Sequence, residues 1–151
     1  MRMNAIKFKI VTPERIVYEA EVDSITLPTE QGEITVLPCH IPLLASLKPG
    51  ELVVRKGVEV SPMSISGGFV EVREGSEVTV LADTAERAHE IDLKRAEEAK
   101  ARAAKLLTER HEEDVDYTAL AARIEKELAR LRVAKKYAHM RRTGPVPKVE
   151  E

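Results

Sequence analysis

Apolar and polar side chains alternate near the start of the chain, with Ile6, Phe8 and Ile10 on one side and Lys7 and Lys9 on the other. That period of two belongs to a half-buried β-strand. Thr12-Pro13-Glu14 interrupts it, and further short segments follow at Ile16–Ala20, Val22–Leu27, Glu33–Leu37, Leu43–Leu47, Leu52–Lys56, Val58–Val60, Met63–Ile65, Phe69–Arg73 and Glu77–Leu81. About ten strands separated by Gly, Pro and Asn/Asp/Ser turns predict a compact all-β sandwich or barrel over residues 1–84. Beyond residue 84 the period changes. Asp83 or Thr84 is placed to cap a short helical turn with Glu86 reaching back. A first helix is then expected from the N-cap Asp92 to about Arg110, with Leu93, Ala96, Ala99, Ala103, Leu106 and Leu107 at three-and-four spacing. His111–Asp116 reads as a polar connection. A second helix is expected from Tyr117 to about Arg141, striped by Leu120, Ile124, Leu128 and Leu131, with Gly144-Pro145 as its stop. The fold class is therefore two-domain α+β, an N-terminal ten-stranded β-sandwich followed by a C-terminal antiparallel two-helix hairpin over residues 85–142, with 143–151 a disordered tail.

Gly32, Gly50, Gly57 and Gly75 fall between alternating segments, where a positive φ is easily accommodated, and Glu74-Gly75-Ser76 is the clearest hairpin turn. Gly67-Gly68 stands at a strand entry, where missing Cβ atoms allow a bulge or the close approach of another backbone. Between Gly32 and Gly50 three prolines deny the backbone ladder hydrogen bonds, which calls for an edge or shaped loop. Cys39-His40 lies in it. A nucleophilic cysteine needs a base, an orienting group and an oxyanion site, and no second histidine occurs in this half. The better expectation is a small buried or half-buried Cys39 and a structural His40 bonded to a carbonyl left unpaired by the prolines. His89, His111 and His139 are scattered, which argues against a metal site, and a single cysteine excludes an internal disulfide.

Charge changes the picture of the second half. Residues 1–84 carry 8 basic and 12 acidic side chains, and the remainder carries 16 basic and 14 acidic. The second helix concentrates Arg123, Lys126, Arg130, Arg132, Lys135, Lys136, Arg141 and Arg142 against Glu125 and Glu127. Such a segment calls for an anionic partner. No run of apolar residues is long enough to span a membrane, so direct membrane insertion is not expected. Met1–Lys7 carries no apolar segment of signal-peptide length, and the expected location is the cytoplasm. With no Trp, two Phe and three Tyr, aromatic platforms for nucleic-acid bases are lacking, and no nucleic-acid partner is expected.

Three runs carry a family resemblance: Gly32…Val36-Leu37-Pro38-x-His40-x-Pro42-Leu43-Leu44-x-x-Leu47-x-Pro49-Gly50, then Ser66-Gly67-Gly68-Phe69-Val70-Glu71-Val72, then Val78-x-Val80-Leu81-Ala82-Asp83-x-Ala85-Glu86. In this order and spacing, over about residues 6–142, the chain resembles the epsilon subunit of F-type ATP synthases. The resemblance implies a non-enzymatic subunit of the rotating central stalk at the cytoplasmic face of a bacterial membrane. Its sandwich would bind the γ subunit and rest on the membrane rotor ring, with Glu33 and His40 facing these partners. Its basic arm, through Arg123, Arg132 and Lys135, would dock on acidic loops of the catalytic α/β subunits and suppress ATP hydrolysis.

Ile91-Asp92-Leu93-Lys94-Arg95-Ala96 matches a motif that in some bacterial members contributes to binding ATP. By the same resemblance Glu86, Asp92, Arg95, Arg102 and Arg130 match nucleotide contacts, and Lys126 stands where a further family arginine is expected. Arg95 and Arg102 share a helix face, and a hairpin would bring Arg130 beside them. Asp92 is equally an ordinary N-cap, and arginines on a polar helix face are usually solvated. With no phosphate loop of Walker type and no general base, ATP would act as a regulatory ligand, no cofactor being required. Two other classes compete: an adaptor whose basic arm binds nucleic acid, which the acidic sandwich opposes, and a hydrolase centred on Cys39-His40.

Overall fold

A computed structural model describes residues 5–109 and 117–143. Ten strands come first: β1 (Ile6–Val11), β2 (Ile16–Val22), β3 (Ser24–Thr29), β4 (Gly32–Val36), β5 (Leu43–Leu47), β6 (Gly50–Lys56), β7 (Glu59–Ile65), β8 (Gly68–Arg73), β9 (Glu77–Ala82) and β10 (Ala85–Arg87). A 3-10 turn at Ala88–Glu90 leads into α1 (Leu93–Glu109), and α2 (Tyr117–Thr143) follows. The expected connection His111–Asp116, the stop at Gly144-Pro145 and all but residue 143 of the expected tail lie outside the described residues.

Strand pairing runs β10-β7-β6-β3-β5-β8-β9-β1-β2, with β4 added on β3. All pairs are antiparallel except β1 with β9. At the middle of this path β3 meets β5 through the single pair Thr29↔Leu47, so the sheet folds over there into two layers. Their inner faces share one core. Ile25, Leu27, Leu52, Met63 and Ile65 come from one layer, and Ile6, Phe8, Ile10, Val70, Val78 and Val80 from the other. Each residue in that set is nearly excluded from water, which is the burial that holds about eighty residues in a fold of their own.

The two ends of the path, β10 and β2, approach each other, and Arg87 closes the seam. Its guanidinium donates to the Val17 carbonyl at 3.1 Å and lies over the Tyr18 ring, 5.7 Å from the centroid. Tyr18 in turn packs on Phe8. Its phenol pKa is raised, first by burial and then by the charge of Glu59, with Arg87 working in the other direction.

Several local expectations are corrected. Val58–Val60 and Met63–Ile65 are one strand, because Pro62 sits inside β7 opposite Val53 without breaking it. The expected helical turn at Asp83–Glu86 is instead β10, pairing Ala85, Glu86 and Arg87 with Ile65, Ser64 and Met63. An otherwise unpaired edge of β7 outweighs the local capping signal. Gly50 does not have a positive φ; it is small because Pro28 lies 2.9 Å from where its Cβ would be. Cys39 is exposed, with φ 62 and its N–H donated to Ser76 Oγ at 2.8 Å. His40 behaves as expected, its Nδ1–H donating to the Ile41 carbonyl at 2.7 Å, just before Pro42.

The placement of β10 leads to a prediction. A chain ending at Ala88 should fold cooperatively as a sandwich, whereas one ending at Thr84 loses the β7 edge pairing and the Arg87 closure. Losing two or three net hydrogen bonds costs about 2–3 kcal/mol, or roughly 10–20 °C in melting temperature for a domain of this size. Thermal circular dichroism of the two fragments checks this, and equal melting temperatures would show that β10 adds nothing.

Candidate functional site at the seam between strand β10 and helix α2

The hairpin lies against the sandwich through α2. Ala88, which opens the 3-10 turn, and Ile91, which follows it, pack with Ala96 of α1 and with Leu131, Val133 and Ala134 of α2. Contacts to two sides explain why the expected stripe of Leu120, Ile124, Leu128 and Leu131 accounts for only part of the buried surface of α2. Ala129, Val133 and Ala134 are buried as well, while Ile124 and Leu128 are half-buried. Small side chains bring the backbones close but bury little area, so polar contacts must fix the docked position.

Arg130 makes the strongest of these. Its Nε–H donates to one oxygen of Glu86 on β10, its Nη2 to the other at 3.0 Å, and its Nη1 to Glu127 at 2.8 Å. Side-chain exposures of 18% for Arg130, 33% for Glu86 and 14% for Glu127 keep water from screening the triad fully. Burial alone would lower the Arg130 pKa, but its hydrogen bonds to Glu86 and Glu127 outweigh this and raise it above the ordinary arginine value. A second tie joins Lys136 to Glu51 of β6 at 2.8 and 3.0 Å. Lys135 reaches Glu97 of α1 at 3.7 Å, a water-exposed pair that contributes little.

Beside the triad lies a cleft of about 350 Å³, within the range of about 300–1,000 Å³ typical of small-molecule sites. The sandwich supplies one wall through Thr12, Arg15, Thr84 and Glu86, and α2 supplies the other through Lys126 and Arg130. Glu14 and Asp83 add two carboxylates. Of the residues matched to nucleotide contacts, Glu86, Lys126 and Arg130 thus meet in one place. Asp92, Arg95 and Arg102 do not line this cleft. Asp92 caps α1 by accepting the Arg95 N–H at 3.1 Å, and the Arg95 side chain is exposed. Arg102 is also exposed and lies 4.0 Å from Glu98. The described contacts of Arg130 go to Glu86 and Glu127 and not to the α1 arginines.

The partner-facing residues are spread over the surface. Glu33 and Arg132 line a second cleft of about 250 Å³ with Lys48, Pro49, Glu51 and Ala129, although the resemblance implies different partners for them. Arg123 is exposed on α2. On the outer side of β5, β8 and β9, Leu44, Phe69 and Leu81 stand 72%, 54% and 55% exposed. The registers set Phe69 opposite Leu81, with Leu44 on the diagonal from Phe69 and opposite Glu71, so the three form a strip broken by polar neighbours. Sequence alternation hid this strip, because outward positions are read as polar. A larger depression of about 410 Å³ over β1, β2 and β9 has charges that largely neutralise one another, as in Lys7–Glu77 and Lys9–Glu19. Among the described residues there is no cluster able to hold a metal ion and no helix long and apolar enough to cross a membrane.

Comparison with known proteins bears on the whole layout. Residues 5–88 match the family model of the ATP synthase delta/epsilon chain β-sandwich domain, and residues 89–135 match that of the delta/epsilon chain long α-helix domain. An ATP synthase epsilon chain from Chloroflexus aggregans is 45% identical over 137 residues, covering 91% of this chain and 97% of the relative. One from Dehalococcoides mccartyi is 44% identical over 143 residues, covering 95% and 99%. Among solved structures, a chain of the Euglena gracilis mitochondrial ATP synthase superposes with a TM-score of 0.67 at 26% identity, covering 89% of this chain and 81% of that one. A chain from the central stalk and c-ring of the Tetrahymena thermophila mitochondrial enzyme shares the fold, with a TM-score of 0.55 at 19% identity over 87% and 95%. Sandwich, hairpin and sequence agree over most of the chain: it belongs to the family of bacterial ATP synthase epsilon chains.

Proposed function

We propose that this chain is a non-catalytic subunit of the central stalk of a rotary ATP synthase, held at the cytoplasmic face of the bacterial membrane through the complex. Its sandwich couples the γ subunit to the membrane rotor ring, and its hairpin is a regulatory arm that binds ATP when docked and restrains ATP hydrolysis when released. The observation that carries the regulatory part is the seam at β10 and α2. There a thin layer of Ala, Leu and Val is held mainly by the Glu86–Arg130–Glu127 triad and by Lys136–Glu51. A docked state built this way is only modestly favoured, so a ligand with differential affinity for it shifts the population.

The cleft beside the seam suits a nucleotide. Lys126 makes no ion pair among the described residues and is placed for a phosphate, while Glu14 and Asp83 offer acceptors to ribose hydroxyls or an adenine amino group. Asp92, Arg95 and Arg102 are then contacts that form only if the nucleotide extends over α1. The exposed residues Leu44, Phe69 and Leu81 support a γ-binding face on the sandwich, with Glu33 on β4 and His40 on the β4–β5 loop facing the rotor ring. Release of the arm breaks the Arg130–Glu86 and Lys136–Glu51 pairs that cross to the sandwich. Those cations, with Arg123, Arg132 and the weakly paired Lys135, become available to acidic loops of the catalytic subunits.

Calorimetric titration of the full chain should show ATP binding more tightly than ADP, accompanied by slower amide exchange in α2. No heat at millimolar ATP would remove the sensor reading.

A further inference from the structure

We propose that Arg15, on the turn between β1 and β2, is a further contact for the phosphates of a nucleotide in the β10–α2 cleft, supplying from the sandwich side the planar fork that Lys126 lacks. This rests on the nucleotide reading of that cleft. Arg130 has little left to give, because three of its five N–H donors are already committed to Glu86 and Glu127. Lys126 offers a compact ammonium in place of a bidentate guanidinium. Arg15 lines the same cleft from the sandwich wall.

Its backbone is fixed in place. Thr12 N–H and Thr12 Oγ1–H donate to the Arg15 carbonyl at 2.9 and 3.0 Å, and Arg15 N–H donates back to Thr12 Oγ1 at 3.3 Å. The side chain is held far less firmly. It lies 3.9 Å from Glu90 with 61% of its surface exposed, a pair that exchanges for a phosphate at low cost.

Charge makes the same demand. Arg15, Lys126 and Arg130 balance Glu14, Asp83 and Glu86 around the cleft, so without Arg15 the lining is net negative and repels a polyphosphate. A nucleotide held between Arg15 and Lys126 would staple the sandwich to α2, which gives the docked arm its ligand dependence.

The test is ATP calorimetry on the full chain as wild type, Arg15→Ala, Arg15→Lys and the double variant Arg15→Ala/Lys126→Arg, with amide exchange in α2 followed in parallel. Arg15→Ala should bind about tenfold more weakly, as expected for one exposed charge-assisted contact. It should also lose most of the ATP-dependent protection of α2. Arg15→Lys should fall between, and the double variant should regain most of the affinity because the fork returns from the opposite wall. Unchanged affinity in Arg15→Ala overturns the role of Arg15 and leaves the nucleotide site standing. No binding by the wild type overturns both. Loss in Arg15→Ala without recovery in the double variant overturns the substitution of one fork for the other.

Discussion

In an Arg130→Leu protein the hairpin is expected to leave the sandwich while the sandwich itself stays folded. The substitution keeps helix propensity and removes the group that satisfies both oxygens of Glu86 and one of Glu127. A fully buried pair broken this way costs about 3–5 kcal/mol, and partial exposure of the triad reduces the expected cost to about 1–3 kcal/mol. That is about a five- to 150-fold rise in the undocked fraction. The apolar contact cannot make up the difference, since its α1 and 3-10-turn members are mainly Ala88, Ile91 and Ala96. Faster amide exchange and faster tryptic cleavage throughout α2, with an unchanged melting transition for the strands, is the expected result. Unaltered protection of α2 would show that the seam is held by something other than this triad.

Gly68→Ala should damage the other domain far more than its size implies. At Gly68 φ is +132, and a Cβ would lie 2.0 Å from the Leu81 carbonyl oxygen and 2.9 Å from Ala82 Cα. Backbone strain of about 1–3 kcal/mol adds to overpacking of about 1–3 kcal/mol. A sum of about 2–6 kcal/mol is a large part of the stability of a small domain and lowers its melting temperature by at least about 10 °C. Gly75→Ala is the control, because it has φ +80 but open space around its Cβ. It should bear the strain alone. Equal losses in the two variants would mean that the close approach to β9 is relieved by a small shift.

The strands were legible because their buried residues alternate, as in Ile6, Phe8 and Ile10, and no local signal competes with that period. β10 was not, since Ala85-Glu86-Arg87 alternates weakly and follows residues that resemble a helix cap. Only the open edge of β7, a feature of the assembled sheet, decides it. Pro62 misled for the opposite reason: a strong local breaker sits where the ladder tolerates a missing donor. At the seam, Glu86, Lys126 and Arg130 follow from resemblance, but the pairing of Arg130 with Glu86 depends on the crossing of α2 over β10. Arg15 belongs to a turn remote in sequence from that crossing, and nothing in periodicity connects them. The motif at Ile91–Ala96 has a structural reading of its own. Ile91 and Ala96 are packing residues and Asp92 is a cap, leaving Lys94 and Arg95 with side chains that face water.

Helix α2 meets α1 on one flank and the sandwich on another, so its buried residues wrap more than half of its circumference. Parted from both α1 and the sandwich, such a helix would present apolar surface on two flanks at once. A flat receiving surface would cover one flank and leave the other wet. Under the proposed regulation, a host for α2 in that extended form would therefore need walls on two sides, and the fit of those walls, more than the number of cations on the arm, would set how long α2 stays away.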